Sequence, residues 1–264
     1  MKSENKFITL SSGKIFIKTW TPGKLSKDST PVFLLHDSLG CVDTWKELPA
    51  KIASENQCSV IAYDRLGFGK SSRQEKLPSV HFISDEFEMF QKILKELKIK
   101  SYLLFGHSVG GSMALIIASR DSNCLGVITE SAQAFVEPLT REGIQKAKLD
   151  FTNQERFEKL KKYHGEKSEW VLKSWTEIWL SEDFANWSLQ REIKKINCPV
   201  LCIHGDHDEY GSLAFPEIIT SLVTPFDGSP EKKIISNCGH IPHKEYERLV
   251  LDYIHGFLKK QKLS

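Results

Sequence analysis

The sequence predicts an α/β domain: an open, mostly parallel β-sheet covered on both faces by helices, with one helical insertion. Three features of the 264 residues lead there. Short, dense apolar runs bounded by turn residues recur along the chain, as suits strands buried on both faces. Between them lie segments with apolar residues at steps of three and four, the mark of one helical face. The stretch 133–195 breaks this alternation and carries helical signals with no convincing strand.

In chain order, residues 7–10 and 14–20 alternate apolar and polar around Ser11-Ser12-Gly13, which predicts an opening hairpin. Strand-like runs follow at 32–36, 59–63, 102–106, 126–129 and 200–204, with a weaker one at 233–235. A helix is expected over 82–97, where Ile83, Phe87, Phe90, Leu94 and Leu97 share a face. The small, apolar segment 109–119 predicts a buried helix, and 246–258 a closing amphipathic one. The core is therefore expected over 1–132 and 196–264, with a helical cap at 133–195. Four of the six tryptophans lie in that insertion. Connections at the carboxyl ends of parallel strands border the ligand crevice, so the insertion is placed to roof it.

Composition narrows the function classes. Hydrophobic residues make up 40% and charged residues 27%, ordinary for a soluble globular protein. A formal charge of +2 with no basic cluster gives no footprint for nucleic acid. The Lys/Glu mixtures at 92–100 and 155–162 suit solvated helix faces. No apolar run approaches the ~20 residues of a membrane span, and the first residues show no apolar signal core. Six scattered cysteines without CxxC spacing suggest reduced thiols, so a cytoplasmic location is expected.

The chemistry starts at Gly106-His107-Ser108-Val109-Gly110. A strand-like run precedes it and a helix-like run follows, the context a nucleophile elbow requires. In so tight a turn, side chains at Gly106 or Gly110 would strike neighbouring elements. The serine oxygen is lifted above the sheet, at a helix N-terminus whose free N–H groups favour developing negative charge. Ser108 is thus the candidate nucleophile, and the Val109 N–H a candidate oxyanion donor.

With this motif the chain resembles the α/β-hydrolase superfamily, in its serine-nucleophile, capped esterase or C–C hydrolase branch. Four more motifs carry the likeness in the right order. His36-Asp37-Ser38-Leu39-Gly40 matches the His-Gly loop, and Asp64-Arg65-Leu66-Gly67-Phe68-Gly69-Lys70-Ser71 the loop after the fourth strand. Gly205-Asp206-His207-Asp208 matches the acid loop, and Cys238-Gly239-His240 the histidine loop. The resemblance implies an eight-stranded, mostly parallel sheet and a Ser108–Asp208–His240 triad. A serine hydroxyl needs a base, and the base needs an orienting acid. His243 is the nearest rival to His240, and Asp206 and Glu130 remain alternatives to Asp208. His36, His107 and His204 read as structural, and His81, His164 and His255 as surface or core bystanders.

By the same resemblance a second oxyanion donor is Ser38 N–H, with Leu39 as its rival. Here the chain departs from the family: Asp37 replaces the usual glycine. A carboxylate beside an anion site is unfavourable unless it points away. Leu39, Trp175 and Trp179 are candidate substrate contacts, although tryptophans at near-helical spacing also serve to pack a cap.

Other patterns carry less. Gly69-Lys70-Ser71 ends like a P-loop, but Asp64 stands where that motif needs glycine. The His-x-x-His pairs 204/207 and 240/243 match no zinc pattern, so no metal is expected. The serine argues against the dehalogenases and epoxide hydrolases, which use aspartate. The expectation is a hydrolase of a small or medium carboxylic ester, without a cofactor, acting on a small molecule as a monomer or homodimer. The alternatives are hydrolysis of a C–C bond in a diketone-like substrate, a cofactor-free perhydrolase, and a non-catalytic small-ligand binder.

Overall fold

In the computed structural model, which describes residues 1–25, 29–225 and 229–260, an eight-stranded sheet organises the chain. Strands β1 (Lys2–Leu10) and β2 (Gly13–Thr21) form the opening hairpin, followed by β3 (Val32–Leu35), helix α1 (Leu48–Asn56) and β4 (Val60–Tyr63). Then come α2 (Phe82–Leu97), β5 (Tyr102–His107), α3 (Val109–Arg120) and β6 (Cys124–Glu130). Helices α4 (Pro138–Asp150), α5 (Gln154–His164), α6 (Ser168–Trp179) and the short α7 (Gln190–Ile193) separate β6 from β7 (Val200–Gly205). The chain closes with α8 (Ala214–Leu222), β8 (Glu231–Ile235), the single turn α9 (Pro242–Glu245) and α10 (Glu247–Lys260).

The strand order is β1-β2-β4-β3-β5-β6-β7-β8. The β1–β2 and β2–β4 pairings are antiparallel, and β4, β3, β5, β6, β7 and β8 run parallel. The register fixes which side chains meet: Val32 of β3 lies opposite Val60 on one side and Leu103 on the other. Strands β3, β4, β5 and β7 are buried along their whole length, which is why they read as unbroken apolar runs. Two apolar layers result. Phe33, Tyr63, Phe90 and Met113 pack on one face, and Trp45, Phe105, Val250 and Phe257 on the other.

Several sequence expectations change in detail. The first strand begins at Lys2, whose polar neighbours in Lys2–Lys6 are exposed on the sheet edge and lack the alternation that signals a strand. Helices α1 and α8 carry no long periodic pattern, and each has a proline near its start, Pro49 and Pro216. A first-turn proline leaves the helix intact because its missing N–H has no intrahelical partner there. Between β6 and β7 the only pairing among the described residues is the isolated bridge Phe135–Ser188. Helix α3 is buried from Val109 through Ala118, so it runs through the core beneath the turn that carries Ser108.

Candidate active site

Ser108 occupies the turn between β5 and α3 at φ 55° and ψ −127°. A Cβ on Gly106 would lie 2.2 Å from the Gly110 carbonyl oxygen, and one on Gly110 2.1 Å from that of Leu35. Both contacts are far inside van der Waals distance, so only glycine permits this turn. The Ser108 N–H donates to the Glu130 carbonyl at 2.8 Å, which ties the turn to the end of β6.

The loops that follow β7 and β8 bring Asp208 and His240 to the same place. His240 Nε2 lies 3.0 Å from Ser108 Oγ. His240 Nδ1 lies 2.8 and 2.9 Å from the two Asp208 carboxylate oxygens. The hydrogen bonds make Asp208 the acceptor for Nδ1–H, which leaves Nε2 to accept from the serine hydroxyl. The Asp208 side chain is buried and also accepts the Tyr210 N–H at 2.8 Å. Burial opposes its charge, but the His240 charge and hydrogen bonds, with His204 and the Tyr210 N–H, hold its pKa below the usual carboxylate value.

The other acids and His243 lie elsewhere. Asp206 is exposed and accepts from His207 Nδ1 and the Asn237 N–H, bracing the histidine loop. Glu130 is fully buried and accepts from His243 Nδ1. His107, Glu130 and His243 have ligand-capable atoms within 4.8 Å of one another, the one such metal-competent group among the described residues. Each already has a partner there, since His107 Nε2 donates to the His240 carbonyl at 2.9 Å. The His-x-x-His pairs do not gather: His204 bonds the Gly211 carbonyl, and the exposed His207 faces Asp206.

Asp37 lines the cavity that holds Ser108 and stands beside His107. Its carboxylate lies 3.6 Å from His107 Nδ1, and its backbone carbonyl accepts from Arg65 Nη2 at 2.7 Å. Burial opposes the Asp37 charge, but the His107 imidazole beside it pulls its pKa well down. Burial alone would lower the pKa of His107; Asp37 and Glu130 together raise it. Among the described residues the Val109, Ser38 and Leu39 N–H groups have no backbone acceptor. Val109 heads α3, while Ser38 and Leu39 line the cavity that holds Ser108 and His240.

That cavity, about 280 Å³, also takes in Trp175 and Trp179. A second cavity of about 370 Å³ continues past Val109 and shares Ser38, Trp175 and Trp179 with it. Trp170 instead packs on Phe68 and caps the second cavity, with its Nε1 donating to the Lys76 carbonyl. Trp45 is core, packed on Phe105 and His243.

The family model for the alpha/beta hydrolase fold matches residues 30–169, just over half of the chain. The chain belongs to the α/β-hydrolase family. Two curated relatives show how this α/β-hydrolase compares in sequence. It is 29% identical over 118 residues to a probable lysophospholipase, BODYGUARD 3, of Arabidopsis thaliana, covering 44% of this chain and 23% of the relative. It is 32% identical over 89 residues to a proline iminopeptidase of Lactobacillus crispatus, covering 34% of this chain and 30% of that one. The chain thus aligns with less than a third of either relative's own length. Among solved structures, a bacterial membrane phospholipase A superposes with a TM-score of 0.79 at 19% identity, over 99% of this chain and 87% of the other. At that identity the likeness is one of fold.

Three residues of this α/β-hydrolase's site had no signal in the sequence. Gln133, just past β6, donates from Nε2 to Ser108 Oγ at 3.2 Å. The Tyr210 ring lies 4.8 Å from that of His240. His164 corrects its reading as a bystander. It accepts the Gly69 N–H on Nδ1 at 2.9 Å, and its Nε2 bonds the Leu39 carbonyl at 2.9 Å. It thereby fastens the end of α5 to two loops of the site. Each of these contacts joins distant parts of the chain, which no local pattern encodes. Among the described residues no helix is long and apolar enough to cross a membrane, and all six cysteines are free and buried.

Proposed function

We propose that this α/β-hydrolase cleaves small or medium carboxylic esters through an acyl-enzyme intermediate, with the 133–195 insertion acting as a cap over the site. The observation that carries the reading is the continuous hydrogen-bonded chain Ser108 Oγ–His240–Asp208. Ser108 Oγ attacks the ester carbonyl while His240 Nε2 takes its proton. The tetrahedral oxyanion is held by Val109 N–H and Ser38 N–H. His240 returns the proton to the leaving alcohol, leaving an ester on Ser108. Water then repeats the sequence, with His240 again as base, and releases the acid. Asp208 holds the imidazole in the productive tautomer throughout.

The His107 imidazole beside the Asp37 carboxylate offsets its charge near this site. The intact chain of three groups also favours an enzyme over a ligand-binding protein. No metal or cofactor takes part. The test is hydrolysis of p-nitrophenyl esters together with labelling by a fluorophosphonate. Turnover and labelling are both expected, and both lost in Ser108→Ala. Turnover that survives Ser108→Ala overturns the proposal.

A further inference from the structure

We infer that the substrate is a two-armed ester whose apolar, medium-chain acyl arm lies in the second cavity, beyond Val109, and whose alcohol arm lies beneath His240; this rests on the ester-hydrolase reading above. The two cavities meet at Ser38, Trp175 and Trp179. The first contains Ser108 and His240, with Gln133, Ile144, Ala147 and Phe151 along its wall. The second contains Val109 and runs between Leu66, Phe82, Met89 and Met113.

The chemistry sets the direction. The tetrahedral carbon bears four groups: Ser108 Oγ, the oxyanion, the leaving oxygen and the acyl chain. The leaving oxygen must come within hydrogen-bond reach of His240 Nε2, because that nitrogen returns the proton. His240 lines the first cavity and not the second, so the alcohol leaves through the first. The oxyanion faces Val109 and Ser38 N–H, at the junction. The acyl chain is left with the direction past Val109, into the second cavity.

The wall there suits an alkyl chain. Met89 is flexible and polarisable, and Phe82, Leu66 and Met113 offer only carbon or sulfur. Glu86 and Arg65 also line this cavity as buried groups of opposite charge, and Arg65 Nε has no hydrogen-bond partner among the described residues. Arg65 Nη2 donates to the Asp37 carbonyl and its Nη1 to Met113 Sδ, and Glu86 offsets its charge. Charged groups of both signs, Lys76 and Asp85, are exposed on its rim, so a chain that reaches them meets water. Each methylene buried before that point raises kcat/KM by about fourfold.

The test compares kcat/KM for p-nitrophenyl acetate and p-nitrophenyl octanoate, a pair that holds the alcohol constant. The wild-type chain is expected to favour octanoate at least tenfold. Met89→Trp fills the second cavity and is expected to lower the octanoate-to-acetate ratio at least tenfold. Phe82→Ala enlarges the same cavity and moves the optimum toward dodecanoate, which keeps the test open if the tryptophan variant does not fold. Phe151→Ala, in the first cavity, is expected to raise the ratio of naphthyl to phenyl acetate and leave the octanoate-to-acetate ratio within twofold. The inference is overturned if Phe151→Ala rather than the second-cavity variants moves the acyl preference, or if the wild-type chain shows none. A chain whose Ser108 takes a fluorophosphonate but cleaves no ester refutes the ester reading itself, and this inference falls with it.

Discussion

Ser108 is held in a sparsely populated backbone region that a residue with a Cβ reaches only at a cost of about 1–3 kcal/mol. The surrounding glycines and the bond from Ser108 N–H to Glu130 sustain it. Gly110→Ala should therefore fail structurally before it fails chemically, because the new methyl group meets the Leu35 carbonyl. A lower melting temperature together with lost fluorophosphonate labelling is the expected outcome. Asp208→Asn separates geometry from chemistry. The amide keeps the shape but favours the wrong imidazole tautomer, so kcat should fall by about 10⁴-fold in a chain that still folds, at a melting temperature lowered by the lost carboxylate contribution. An Asp208→Asn enzyme within tenfold of wild type would show that another acid orients His240.

The elements differ in how far their own sequences announce them. Helix α2 falls on the bounds its apolar periodicity indicates, because one face carries its burial. The parallel strands are evident because both of their faces are covered. Helices α1 and α8 are hidden by first-turn prolines and by their length of nine residues each. Ser108, Asp208 and His240 are legible because each sits in a turn whose local chemistry is distinctive. Gln133, Tyr210 and His164 reach the site only through contacts between distant segments. His164 tests this at the level of an element. Removing its ring leaves the Gly69 N–H and the Leu39 carbonyl without partners. His164→Ala should cost about 1–3 kcal/mol of stability, seen in denaturant unfolding, and speed amide exchange at Gly69. Unchanged exchange there would mean that α5 does not hold these loops.

Across the whole molecule, the strand order puts β5 inside the sheet, with β3 and β6 as its neighbours. The loops leaving the carboxyl ends of β3, β5, β6, β7 and β8 supply Ser38, Ser108, Gln133, Asp208 and His240, the position at which open α/β sheets bind ligands. This convergence brings the buried His107, Glu130 and Asp208 together with the half-buried Asp37, which gives stability a pH dependence. The pKa values of Asp37, Glu130 and Asp208 are lowered in the folded chain. Their contribution is present above the unfolded carboxylate value of about 4 and is lost as pH falls through the folded values. His107 is raised, so its contribution is complete below about 6.5 and fades as pH rises through its folded value. Melting temperature should fall in acid below about pH 4, and less steeply in Asp37→Asn; an equal slope in the variant would remove Asp37 from this balance.

The most direct measurement is a crystal structure of the chain after reaction with a fluorophosphonate. The phosphorus should be bonded to Ser108 Oγ, with its oxygen within hydrogen-bond distance of Val109 N and Ser38 N and with His240 Nε2 beside the adduct. Phosphorus on any other side chain, or its oxygen turned away from Val109 N, would contradict the assignment of this site.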